Sequence, residues 1–117
     1  MNVDWLRTYC LGLPHVTENV QWGTDLVFKV GGKMFAVGAL EPGDHCLSFK
    51  CAPEEFAELC ERPGIIPAPY LARAQWVALE TENALPRAEL KRLLRQAYDL
   101  VVAKLPKKTK SQLAGGN

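Results

Sequence analysis

Histidine occurs only twice in this 117-residue chain, and its four cysteines (Cys10, Cys46, Cys51, Cys60) form neither a C-x-x-C pair nor a Cys/His grouping with zinc-finger spacing. No metal or disulfide framework can be read from such spacing, so free thiols and no cofactor are expected. Long apolar runs are missing too. Met34 to Leu40 is far short of the roughly 18 residues that a membrane span requires, which excludes a helical bilayer crossing. The opening Met1-Asn2-Val3-Asp4-Trp5 lacks the basic region and apolar stretch of a secretory signal, so a cytoplasmic protein is expected. No glycine-rich phosphate loop is present, because Gly31-Gly32 is followed by neither a G-K-S/T triplet nor a helix. No nucleophile elbow or Cys/His signature surrounds Ser48, Ser111, His15 or the adjacent His45 and Cys46, so a catalytic role is not expected.

What is present is ordinary globular material. The chain is 13.0 kDa and 48% hydrophobic. A domain of this length buries roughly two-thirds of the surface that it exposes when unfolded, so it folds without staples. The net charge of +1 hides an asymmetry. From residue 86 onward, eight lysines and arginines face only Glu89 and Asp99, giving +6 and leaving −5 on the first 85 residues. A basic C-terminal third suits a polyanionic partner.

Periodicity supplies the elements. Val3, Leu6, Tyr9 and Cys10 share one side of an N-terminal helix with Asn2 as its cap, and Gly12 and Pro14 end it. Val16 to Trp22 reads as an edge strand. Leu26 to Val30 and Lys33 to Leu40 read as a hairpin around Gly31-Gly32, a pair that tolerates the positive φ of a type I′ turn. Cys46 to Cys51 alternates, with Leu47, Phe49 and Cys51 inward and Cys46, Ser48 and Lys50 toward water. Pro53 opens a short helix buried through Phe56, Leu59 and Cys60. Its Glu54, Glu55, Glu58 and Glu61 read as a solvated face rather than a cation site. Pro67 and Pro69 predict an irregular, stiffened loop from Gly64 to Leu71. Gln75 to Glu80 is a last strand, burying either Trp76 and Ala78 or Val77 and Leu79. Pro86 opens the final helix, whose buried stripe is Leu90, Leu93, Leu94, Ala97, Val101 and Leu105. The expected architecture is α+β, an antiparallel sheet of about five strands covered by N-terminal, middle and C-terminal helices. Residues 1–106 form the domain, and 107–117 read as a basic, disordered tail.

Two function classes follow. Lys29, Lys33 and Lys50 on the strands, with Arg87, Lys91 and Arg95 on one helix face and Lys107 and Lys108 in the tail, predict weak, salt-dependent DNA binding. The alternative is a cleft beside the Pro67–Arg73 loop, framed by Trp22, Tyr70, Arg73 and Trp76, that takes a protein or small molecule. Either way a monomer without a membrane partner is expected.

The order of several runs is more specific than any one of them. Trp22-Gly23, Phe28-Lys29-Val30-Gly31-Gly32-Lys33-Met34-Phe35-Ala36, Leu47-Ser48-Phe49-Lys50, Pro67-Ala68-Pro69-Tyr70-Leu71, Trp76-Val77 and Leu93 to Val101 together resemble the MmcQ/YjbR family of small bacterial proteins. That resemblance implies a one-domain α+β fold related in shape to the frataxin-like CyaY proteins. It also implies hairpins of a double-wing, DNA-binding-like type, a cytoplasmic location and no cofactor. Ala97 departs from the family's serine before Tyr98, and the acidic body departs from strongly basic DNA-binding domains.

Overall fold

The computed structural model describes residues 3–114. Six strands form one antiparallel sheet in the order β1-β2-β3-β4-β6-β5. Strands β1 (Val16–Gln21), β2 (Asp25–Val30), β3 (Lys33–Ala39) and β4 (Leu47–Lys50) run as a meander, and β6 (Trp76–Leu79) lies between β4 and β5 (Ile65–Pro67). Gly31 and Gly32 have φ of +60° and +82°, as the tight hairpin turn requires. Phe28 pairs with Ala36 but Lys29 pairs with Met34, so Phe35 has no partner in that ladder. This bulge lets both Phe35 and Ala36 enter the same core.

Helices α1 (Val3–Leu11), α2 (Pro53–Leu59) and α3 (Arg87–Ala103) cover one face of the sheet. Leu6 and Cys10 of α1 and the stripe Leu90, Leu93, Leu94, Ala97, Tyr98 and Val101 of α3 pack on Leu26, Phe28, Leu47, Phe49, Val77 and Leu79. Leu6 lies so close to Gly38 that a β-carbon there would stand 2.8 Å from its methyl. Tyr98 meets Phe35 edge to face, 5.7 Å between centroids, and its hydroxyl donates to the Pro14 carbonyl at 2.7 Å. Strand β6 turns Val77 and Leu79 to the helices and Trp76 to a second, smaller cluster on the opposite face. Among the described residues no helix is long and apolar enough to cross a membrane.

Three local expectations are corrected. The stretch from Gly64 to Leu71, read as an irregular loop, contains Ile65–Pro67, which pairs with β6 as the sixth strand of the expected α+β sheet. Pro67 is tolerated there because β5 is an edge strand. Ser48 is buried, not solvated, because the second face is itself covered near it by Ala68 and Leu71. The tail from Lys107 is no disordered arm: Lys107–Ala114 forms helix α4, begun by the Lys110 N–H donating to the Pro106 carbonyl at 3.0 Å. Leu105 lies in the main core and Leu113 packs against it. The Asn2 cap and the last three tail residues lie outside the described residues.

The β2–β3 turn abuts this C-terminal extension. A β-carbon on Gly31 would come 2.6 Å from a Leu105 methyl, whereas one on Gly32 would meet nothing within 4 Å. Gly32→Ala is therefore expected to lose only the left-handed backbone penalty, about 1–2 kcal/mol. Gly31→Ala should lose more, and Leu105→Ala should restore part of that difference in a double-variant cycle read by urea unfolding. Equal losses for the two glycines would contradict this packing.

Candidate functional site

A cleft of about 470 Å³ opens on the sheet face that the helices leave bare. Its wall is apolar where Met34 and Val37 of β3 face Ala68, Pro69 and Leu71, and polar where Asp25, His45 and Ser48 line it. The wall segment is pinned by its own hydrogen bonds. The Ala68 N–H donates to the Trp76 carbonyl (2.9 Å), Leu71 to Ala68 (3.1 Å) and Trp76 to Leu71 (3.2 Å). Lys50 adds a side-chain bond from Nζ to the Ala74 carbonyl at 2.8 Å.

Two aromatic residues stand on the rim. Trp22, in the turn between β1 and β2, is 67% exposed, and Tyr70 is fully exposed. Both hold left-handed backbone, φ +54° and +65°, a conformation that bulky side chains rarely adopt. Such strain concentrates at ligand clamps, where it is retained for function. Inside, Ser48 is only 5% exposed. Among the described residues neither its hydroxyl nor the Asp25 carboxylate has a hydrogen-bond or ion-pair partner, and His45 Nδ1 is buried without one. Of the four cleft residues expected from sequence, Trp22 and Tyr70 line it. Arg73 lies outside the cleft on the short 3₁₀ turn Ala72–Ala74, and Trp76 is buried rather than framing the opening, because β6 turns its ring into the second cluster. Asp25, His45 and Ser48 were not anticipated.

The basic candidates fall into two groups, three on α3 and four where the β2–β3 turn meets α4, with Lys50 at the cleft wall. Arg87 on α3 sits 3.9 Å over the Trp5 ring of α1, and Lys91 lies 5.9 Å from the Tyr9 ring centroid. Tyr9 in turn donates its hydroxyl to the Lys91 carbonyl at 2.9 Å. Arg95 lies 5.7 Å from the Tyr98 ring and 3.1 Å from Asp99. The α3 cations are thus committed largely to joining α3 to α1 and to itself. Lys50 is bonded to the cleft wall, and burial, with Lys104 nearby, holds its pKa below the usual lysine range. Lys29 and Lys33 flank the β2–β3 turn, and Lys107 and Lys108 begin α4.

The model of the YjbR family matches residues 11–100. This chain belongs to the YjbR family. A crystal structure of a Deinococcus radiodurans protein, with the family-model domain DUF419, is 35% identical over 96% of this chain and 87% of that one, with a TM-score of 0.84. A second, from Pseudomonas syringae, is 22% identical over 86% of this chain and 98% of that one, with a TM-score of 0.67; that likeness speaks for the fold alone. No curated protein matches the chain.

In this YjbR domain the thiols are poorly suited to nucleophilic chemistry. Burial pushes Cys10 and Cys51 up to about 12 and also raises Cys46 and Cys60, which keeps them as thiols at neutral pH. Among the described residues no three His, Cys, Asp or Glu side chains come together as a metal-binding group.

The rim geometry makes a two-sided prediction. Tyr70→Gly removes a fully exposed ring with little contact to lose and relieves the left-handed backbone, set against the greater unfolded-chain entropy of glycine. The balance is expected to stabilise the fold by about 0.5–1 kcal/mol, raising Tm by about 2–5 °C. A fall in Tm would show that Tyr70 is held for stability.

Proposed function

We propose that this YjbR-family chain is a non-catalytic binding protein whose site is the cleft between Trp22 and Tyr70, and that its ligand is a small molecule with a ring-sized apolar part. One observation carries the reading: the two aromatic residues most exposed to solvent both rim the apolar cleft, and both are kept there in strained backbone. A volume of about 470 Å³ suits a small ligand. Aromatic faces on the rim supply a large contact area at low conformational cost.

DNA binding has less support from this geometry. With Arg87, Lys91 and Arg95 engaged over rings and Lys50 on a carbonyl, four of the eight candidate cations, Lys29, Lys33, Lys107 and Lys108, make no hydrogen bond, ion pair or ring contact among the described residues. Neutralising about four phosphates yields only weak binding that fades with salt.

The test uses the neutral probe N-phenyl-1-naphthylamine, whose fluorescence rises in apolar surroundings. Binding to the wild-type chain is expected, with loss of most of the signal in Trp22→Ala/Tyr70→Ala while the melting transition persists. A parallel anisotropy titration with duplex DNA is expected to show at most weak binding at low salt, lost by physiological salt. Unchanged probe binding in the double variant, or tight DNA binding abolished by Lys29→Ala/Lys33→Ala, would overturn the proposal.

A further inference from the structure

The polar end of the cleft constrains what can enter. Asp25 is half-buried and unpaired, and Ser48, almost wholly buried, turns an unpartnered hydroxyl to the same space. Buried polar groups are normally satisfied, and here the buried His45 Nδ1 has no partner beside the unpaired Asp25 and Ser48, which marks this end as the place for a ligand's polar group. His45 is shared with an adjoining groove, where Glu41 and Glu80 are among the lining side chains. Among the described residues no lysine or arginine lines either space, and the charged side chains that do, Asp25 in the cleft and Glu41 and Glu80 among those in the groove, are acidic. Indole and phenol rings, whose π-faces attract cations, line the same cleft.

We infer that the ligand is a small organic cation, an apolar or aromatic body carrying a protonated amine, whose ammonium meets Asp25 and Ser48 while its body lies along Met34, Val37 and Leu71 under Trp22 and Tyr70. The inference rests on the cleft's being the binding site and adds the sign and position of the ligand's charge. An ammonium supplies only donors, which match a carboxylate and a hydroxyl acceptor. A carboxylate or phosphate ligand would instead face Asp25 with like charge.

Three probes of similar shape separate this from the broader reading: 2-phenylethylammonium, 2-phenylethanol and 3-phenylpropionate, titrated into the full chain by calorimetry. The cation is expected to bind about tenfold more tightly than the alcohol, as one desolvated ion contact allows, and the anion most weakly. In Asp25→Asn the advantage of the cation over the alcohol should largely vanish with alcohol affinity unchanged. Should that variant fail to fold, the wild-type chain still decides the matter, because the cation's advantage must narrow as ionic strength rises. If the alcohol or the anion binds as well as the cation, and Trp22→Ala weakens it, the cleft reading stands and the charge inference falls. If none of the three binds at millimolar concentration, both fall.

Discussion

A six-stranded sheet has two faces to cover, and this chain has helices for only one of them. The register aligns Val27, Val37, Ser48, Ala78 and Ile66 in a row across the sheet, and the cover on that side comes from Ala68, Leu71 and Trp76. Burying the Trp76 ring contributes at most about 4–6 kcal/mol at 25 cal/mol per Å² over its 150–250 Å². Exposed ion pairs such as Arg92–Glu55 contribute about 1 kcal/mol or less each. Apolar packing therefore holds the wall segment in place. Because the segment covers only part of the sheet, a cleft remains over β3 and β4, and Tyr70 is carried to its edge.

The same economy explains where the positive charge goes. Trp5 and Tyr9 are spaced i, i+4 on α1, and Arg87 and Lys91 are spaced i, i+4 on α3. Each cation meets a ring, so the two helices are joined by matched rungs. A basic stripe that reads as an open surface in isolation becomes an internal contact once its neighbour is in place. The acidic body and the basic last third are then partly two sides of one fold, with Arg62 on Glu89 and Arg92 on Glu55 as direct pairs between them.

Local signals were legible in the sequence and parity was not. The Gly31-Gly32 turn, the α1 face and the α3 stripe depend on spacing within one element, and all three stand as read. Trp22 and Tyr70 were recognisable because each adjoins a glycine or proline break. Alternation in β4 separated Ser48 from Leu47 and Phe49, but alternation says only that two faces differ, not that the second is wet. Parity in β6 left Trp76 undecided for the same reason. Helix α4 was hidden because its polar sequence has nothing to bury alone; Leu105 and Leu113 matter only against a core that the rest of the chain builds. The Arg87 and Lys91 pairing with α1 was readable in principle from the two matching i, i+4 spacings.

The central claim is that ligands enter between Trp22 and Tyr70 rather than against the basic helix. Amide chemical-shift mapping of the ¹⁵N-labelled chain during titration with a small aromatic amine tests it most directly. The account predicts shifts concentrated on Trp22, Asp25, Val37, Ser48 and Leu71, with α1 and the outer face of α3 unmoved. Shifts centred on Arg87, Lys91 and Arg95, with the cleft silent, would contradict it.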